Sequence, residues 1–354
     1  MADFYTLLKT LCDIPAPSGL EQNVRSVLIE LLRDHVDAMK LDRMGNLICQ
    51  KRGKETPKVP ILLCAHMDEV GLMVSEITSD GYAKFGTVGG IEAGILPAKR
   101  LVFPEKRGMR GVVCAKPIHL YRDEEELYAP TKHEHLYIDV GARTKEEAEA
   151  VLQIGDLATF DRGSLPYYDA GEVIRSAALD DRLGCAMLVE LLSGELPEYD
   201  ITVIFTVKEE SGLRGATVAA FGTDAHYVIV LEGTTASDLP EAKGPDAVCF
   251  QKKGGVLSLF DGATLYDRAL VKGAIDRLTK HNVPVQTKLR LAGGNDAAAF
   301  QRKAGAKRVL AFSAPCRYIH SPVSTVAKSD LDAMRRALPL LISHCAAHGE
   351  KGTL

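Results

Sequence analysis

The run Ile201-Thr-Val-Ile-Phe-Thr-Val207 constrains this chain more than any other stretch. It is apolar and rich in β-branched residues, so it reads as a buried strand, and it ends on two adjacent carboxylates, Glu209 and Glu210, followed by a glycine turn. In open α/β sheets, ligands bind at the carboxyl ends of the strands. Taken alone, a Glu-Glu pair is also an ordinary solvated strand end. Two more segments repeat the pattern. Val59-Pro-Ile-Leu-Leu-Cys-Ala65 is a fully apolar run, read as a central strand that delivers His66-Met67-Asp68-Glu69. His226-Tyr-Val-Ile-Val-Leu231 is another, ending on Glu232 and Gly233.

At 354 residues the chain can fill a full core and a second, smaller domain. Apolar residues at 46% and charged residues at 25% exclude disordered and fibrous classes. A formal charge of −4 leaves no basic footprint, so nucleic acid and anionic membrane are not expected partners. Met1-Ala-Asp-Phe-Tyr5 is not a signal sequence and no apolar run is long enough to span a bilayer, so a cytoplasmic protein is expected. The eight cysteines include no Cys-x-x-Cys pair, which suits reduced, buried thiols rather than disulfides or a thiolate zinc site.

Helical spacing marks Asp3 to Ile14 and Glu21 to Val36, and Met39 to Lys51 alternates around a Met44-Gly45-Asn46 turn as a hairpin would. From Gly71 to about Asp161 the texture changes to short alternating runs between turns, with one helical stretch near Lys145 to Leu152. Such a segment reads as a small β-rich barrel or sandwich inserted into an α/β chain, with Gly94 to Pro97 and Glu124 to His135 as exposed loops. The expected division is residues 1–69 and 161–354 for the α/β domain and 70–160 for the insert. After it, Asp180-Asp181 opens a helix to about Leu192, where an Asp pair also reads as a cap favoured by the helix dipole. Helices are expected over Leu213 to Phe221 and Asp267 to His281, and strands over Val256 to Leu259 and Val285 to Leu291. Gly293-Gly294-Asn295-Asp296 lacks the lysine of a phosphate loop and reads as a pocket wall. Val309 to Phe312 is expected as the last strand, and a closing helix from Asp330 to about Ala346 takes Ser329 as its cap.

His66, Asp180, Glu210, Glu232 and His320 all fall at strand ends or in adjoining loops. Two imidazoles and three carboxylates suit two borderline metals with one carboxylate bridging them, about 3.5–4 Å apart. A non-ligand carboxylate must then take a proton from water, and Glu209 stands beside Glu210 for that role. Asp68 could fix the tautomer of His66. A lone histidine at a strand end is also often a structural hydrogen-bonder.

Ala65-His66-Met-Asp68-Glu-Val-Gly71, Ala178-Leu-Asp180-Asp181-Arg182, Glu209-Glu210-Ser-Gly-Leu-Arg-Gly-Ala216 and Tyr318-Ile-His320-Ser-Pro322 together resemble the tetrahedral (TET) family of dinuclear-metal aminopeptidases. That family includes glutamyl and deblocking aminopeptidases and often carries a cellulase or endoglucanase label. The resemblance spans essentially the whole chain and extends to Gly111 to Pro117, Tyr137 to Ala142 and Gly293 to Ala297. It implies a mixed-sheet α/β metallopeptidase domain with helices on both faces, and an inserted β-rich dimerisation domain. It implies that Asp180 bridges two metals, that His66 and Glu232 complete one site, and that Glu210 and His320 complete the other. Asp68 would orient His66, Glu209 would be the general base, and Gly293, Gly294 and Asp296 would contact substrate. Two divalent ions per subunit are implied, zinc or cobalt. The implied partners are short peptides as substrate and further copies of the chain, in dimers and a tetrahedral dodecamer. The chain departs from the family pattern at Glu232, where many members have Asp, at Lys208 and Ser211 around the base, and at Ser324 after the last histidine.

The expected function is metal-dependent removal of N-terminal residues from short peptides. A related dinuclear carboxypeptidase or deacylase could use the same cradle, and a scaffold without catalysis could keep the assembly. A cellulase would need Glu209 and Glu210 to face one glycosidic bond, whereas neighbours on one strand point apart.

Overall fold

A computed structural model of the chain describes residues 3–57, 59–163, 167–240, 242, 247–288, 290 and 293–348. In chain order its helices are α1 (Phe4–Cys12), α2 (Gln22–Leu32), α3 (Glu124–Tyr128), α4 (Lys145–Glu149), α5 (Leu179–Ser193), α6 (Arg214–Phe221), α7 (Arg268–Lys280), α8 (Ala297–Arg302) and α9 (Lys328–His348). Strands β1 (Ala38–Leu41), β2 (Leu47–Lys51) and β3 (Ile61–His66) precede the insert. Within it lie β4 (Gly71–Ile77), β5 (Ala83–Val88), β6 (Arg100–Val102), β7 (Arg110–Cys114), β8 (Tyr137–Asp139) and β9 (Leu157–Phe160). The remainder are β10 (Tyr168–Asp169), β11 (Val173–Ser176), β12 (Ile201–Thr206), β13 (Tyr227–Thr235), β14 (Gly255–Leu257), β15 (Val285–Thr287), β16 (Arg308–Arg317) and β17 (Ser324–Ala327).

The large sheet runs β1-β2-β12-β3-β13-β16-β17-β11-β10, with β14 and β15 joined at β16. Its centre, β12-β3-β13-β16, is parallel and both wings are antiparallel. All six residues of β3 are buried, which requires cover on both faces. Helices α5 and α9 pack on β3 and β13, while α6 and α8 pack on each other and on β12 and β13 respectively. After β3 the chain places β12 on one side of it and β13 on the other, so the strand order reverses at β3. A crevice opens at such a switch point.

The six strands β4 to β9 close into a barrel, order β4-β5-β8-β7-β6-β9, with Leu72 opposite Ala158 where the last strand meets the first. The barrel has a core of its own, built from Leu72, Val74, Leu101, Val113, Ile138 and Phe160. Its two crossings to the α/β part are tied together: Arg162 donates to both oxygens of the buried Glu69 at 2.6 and 2.7 Å, and Thr159 Oγ1 donates to Glu69 Oε2 at 3.1 Å.

Several boundaries differ from the sequence expectation. The strand of Glu232 continues to Thr235, because its second half pairs with β16 out to Cys316. Val309 to Phe312 is not the last strand, since β17 follows and pairs back on β16 and β11. Ser329 lies inside α9 rather than capping it, and Asp330 accepts the N–H groups of Lys252 and Gly254 at 2.7 Å each. Part of the expected loop from Glu124 to His135 is helix α3. The expected strand over Val285 to Leu291 is seen as β15, while Leu289 and Leu291 lie outside the described residues. All eight cysteines are free thiols, seven of them buried, as expected. Among the described residues, no helix is long and apolar enough to cross a membrane.

Candidate active site

The parallel register sets the site's geometry. Thr206 of β12 lies opposite His66, and Val230 of β13 lies opposite Cys64, so Glu232 comes level with His66. Parallel partners point to the same face. His66 Nε2 stands 3.5 Å from Glu232 Oε2 and 3.5 Å from Asp180 Oδ1. The other oxygen of Asp180, Oδ2, lies 3.7 Å from His320 Nε2, which is itself 3.3 Å from Glu210 Oε1. Asp180 therefore faces two histidine–carboxylate pairs, one with each oxygen. These gaps are longer than the 2.7–2.9 Å or so of a charge-assisted hydrogen bond.

The two aspartates that open α5 have separate tasks. Asp180 and Asp181 are joined by a cis peptide and have non-helical backbone angles. Asp181 Oδ1 accepts the Gly184 N–H at 3.0 Å, as a cap does, and its Oδ2 accepts the His66 N–H at 3.1 Å. It stands as near to His66 and Glu232 as a ligand would, but its oxygens are engaged as a clamp on two backbone segments. Asp180 turns the other way and accepts the Gly233 N–H at 2.9 Å. A Cβ at Gly233 would lie 2.9 Å from that carboxylate, so no other residue fits there without displacing it.

Both imidazoles are oriented through Nδ1. For His66 the acceptor is the Asp68 backbone carbonyl at 3.1 Å, with Asp68 Oδ1 at 3.5 Å. For His320 it is the Gly90 carbonyl at 2.9 Å. An Nδ1–H held by a carbonyl leaves the Nε2 lone pair aimed at the carboxylates. Asp68 also accepts the N–H groups of Glu209 and Glu210, at 3.0 and 3.1 Å, and the hydroxyl of Ser18. One buried side chain thus ties His66 to the Glu209-Glu210 turn.

Burial crowds these acids into a poorly solvated space and pushes Glu209 and Glu210 well above the usual carboxylate range. The same cause takes Glu232 up to about 8 and Asp296 up to about 6. For Asp180 and Asp68 burial acts in that direction too, but the adjacent His66 imidazole outweighs it and holds both below the ordinary value. His66 is raised well above its ordinary value: burial opposes this, and the negative charge of Glu232 with the adjacent Asp180 and Asp68 prevails.

The residues fit a pair of divalent cations. Glu232 Oε1 is buried with no hydrogen-bond partner among the described residues, a costly state for an oxygen that has nothing to bind. Nitrogen and oxygen donors from His66, Asp180, Glu210, Glu232 and His320 form the set that borderline metals favour. Glu209 lines the same cleft, as do Gly293 and Gly294. Asp296 does not line it. Asp296 is fully buried below, accepting from the Thr206 hydroxyl at 2.6 Å and weakly from the Cys64 thiol at 3.6 Å. The residues that depart from the family pattern also have structural partners: Lys208 N–H donates to Glu21 Oε1 at 3.0 Å, and Ser324 Oγ donates to the Tyr318 carbonyl at 3.2 Å.

Sequence reasoning did not single out Asp181 as a clamp, Ser18, Lys288 in the cleft wall, or Gly90. The paired glycines at 89–90, at the exit of a barrel strand, were a readable sign of close approach. Nothing local shows that the neighbour is His320.

The family profile described as M42 glutamyl aminopeptidase matches residues 45–336. The lysyl aminopeptidase of Pyrococcus furiosus is 32% identical over 336 residues, covering 93% of this chain and 93% of its own. The crystal structure of a TET aminopeptidase from the marine sediment archaeon Thaumarchaeota archaeon SCGC AB-539-E09 superposes with a TM-score of 0.89 at 28% identity, covering 97% of this chain and 98% of that one. The Pyrococcus horikoshii TET1 peptidase, described as able to assemble into a tetrahedron or a large octahedral shell, gives 0.81 at 30% identity, over 96% and 99% of the two chains. Profile, sequence and fold agree along nearly the whole length, and this chain belongs to the M42 aminopeptidase family of metallopeptidases.

Proposed function

We propose that this aminopeptidase works with two divalent cations, zinc or cobalt, and releases N-terminal residues from short peptides. The observation that carries the reading is Asp180, whose two oxygens face His66 with Glu232 on one side and His320 with Glu210 on the other. When bound there, the cations supply Lewis-acid charge that polarises the scissile carbonyl and acidifies the attacking water. Glu209 lines the cleft and belongs to neither half-set. It takes the proton from that water and passes it to the departing amine. Burial raises its pKa above that of a solvated glutamate, which is the direction a general base needs. Asp68 holds His66 and the Glu209-Glu210 backbone in mutual register. The Gly293-Gly294 turn forms the wall against which the substrate lies, and Asp296 supports that wall from below through Thr206.

The resemblance of the insert to a dimerisation domain supports a barrel that joins subunits into dimers, and the neighbouring structures described as a dodecamer and as assembling into a tetrahedron or a large octahedral shell support a tetrahedral dodecamer built from them. The catalytic reading is tested by stripping the protein of metal and offering a panel of aminoacyl chromogenic amides with and without zinc or cobalt. Release restored by metal is expected. Silence on every free-amine amide, with metal shown to be bound, would favour a carboxypeptidase or deacylase using the same cradle.

A further inference from the structure

The barrel does more than stand beside the cleft. Where β5 ends, the chain passes through Gly89 and Gly90 directly against the Glu210–His320 half of the site. Gly89 adopts φ +88°, and a Cβ there would lie 2.7 Å from Val70 Cγ1 and 3.1 Å from Glu210 Oε2. Gly90 then presents its carbonyl to His320 Nδ1 at 2.9 Å. His320 sits at φ +58° in a loop where Tyr318 is also left-handed, at φ +59°. Its side chain is one-third exposed, in contrast to His66 at 1%. A ligand that is less enclosed depends more on the acceptor that fixes its ring.

We propose that the Gly89-Gly90 turn of the barrel is a positioning element for one metal only, the one held by Glu210 and His320. It sets the tautomer and direction of His320 through the Gly90 carbonyl, and it leaves room for the Glu210 carboxylate because position 89 has no side chain. The other half, His66 with Glu232, takes its orientation from Asp68 and Asp181 within the α/β part. One metal therefore draws its support from the α/β part alone, whereas the other also depends on the barrel, and seating of the barrel controls occupancy of the second. This inference rests on the reading of Glu210 and His320 as ligands.

Calorimetric titration of the metal-stripped, full-length protein with zinc alone tests it. The unaltered protein is expected to bind two equivalents; binding of only one would refute the dinuclear reading itself, separately from this inference. His320→Ala identifies which step belongs to the second half-site. Gly89→Ala is then expected to weaken that same step by about 10–100-fold, the usual effect of disturbing a ligand's supporting shell, and to leave the other step unchanged. Gly86→Ala, on the same strand with nothing within 4 Å of its added Cβ, keeps both steps. Should Gly89→Ala not fold, one glycine inserted between positions 89 and 90 moves the carbonyl without adding a side chain, and the same selective loss is expected. Two steps of unaltered affinity in the altered turn, or equal weakening of both in a folded protein, would overturn the proposal.

Discussion

Glu209 and Glu210 are neighbours with different surroundings, and substitution should separate them. Glu209→Gln removes the proposed proton acceptor, which belongs to neither proposed ligand pair, so zinc content should stay at the unaltered level while kcat falls by about 10²–10⁴-fold. His66→Ala removes a proposed ligand from a buried part of the site and should lose metal as well as turnover, read by elemental analysis of the purified protein. Full metal content in that variant would refute the assignment of His66. Glu232 adds a pH signature. In the metal-free protein its pKa rises from 4.5 to about 8, chiefly through burial. Between those values the folded chain keeps a proton that the unfolded chain has released, so stability of the metal-free protein falls as pH rises through that window. A cation must displace the same proton, so zinc affinity should be weaker at about pH 6 than at about pH 8, with proton release on binding. Residues of this kind were legible in the sequence because each acid or imidazole follows a recognisable apolar run. Asp181 and Gly90 were not, since their partners lie 115 and 230 positions away and only the fold brings them together.

At the level of elements, β3, β12 and β13 were legible as buried strands because both faces of a central parallel strand must be apolar. Their ends were less so. The strand of Glu232 outruns its apolar stretch through Gly233 and Thr234, where pairing with β16 supplies the stability that side-chain composition does not advertise. β17, Ser324–Ala327, escaped notice because four residues with two small polar ones carry too little pattern to read without the partner strands on either side. Caps were mixed. Asp267, expected as the first residue of α7, is its cap: it accepts from Ala269 and Leu270 N–H at 2.9 and 3.0 Å and pairs with Arg308 of β16. Ser329 does not cap α9, because that helix begins one residue before it. Asp267→Ala should therefore cost about 1 kcal/mol in denaturant unfolding, with the cleft and its metal content untouched. A loss within error of zero would mean that α7 is held by packing of Leu270, Val271, Ala274 and Leu278 alone.

For the molecule as a whole, the sequence changes texture between residues 70 and 160, and strands β4 to β9, which fall between Gly71 and Phe160, close into a barrel with a separate core. A closed barrel has no free sheet edge, so any contact it makes with another copy must use side chains rather than strand addition. Apolar side chains are available: in the connection between β7 and β8, Ile118 and Leu120 are each 62% exposed and Tyr128 is 78% exposed. Single exposed apolar residues are commonplace, and whether these three, which share one connection, form the contact with another copy is decided by substitution. None of them lines the metal cleft. Replacing Ile118 and Leu120 together by Asp sets charges where that contact requires apolar surface, at a point remote from both barrel and sheet cores. The expected result, read by analytical ultracentrifugation, is a particle of smaller mass than the unaltered protein forms, with two zinc equivalents retained per subunit and chromogenic amide hydrolysis within a few-fold. A particle of unchanged mass would move the contact to another surface. Loss of metal together with mass would show instead that assembly seats the barrel, and through Gly90 the second half of the metal site.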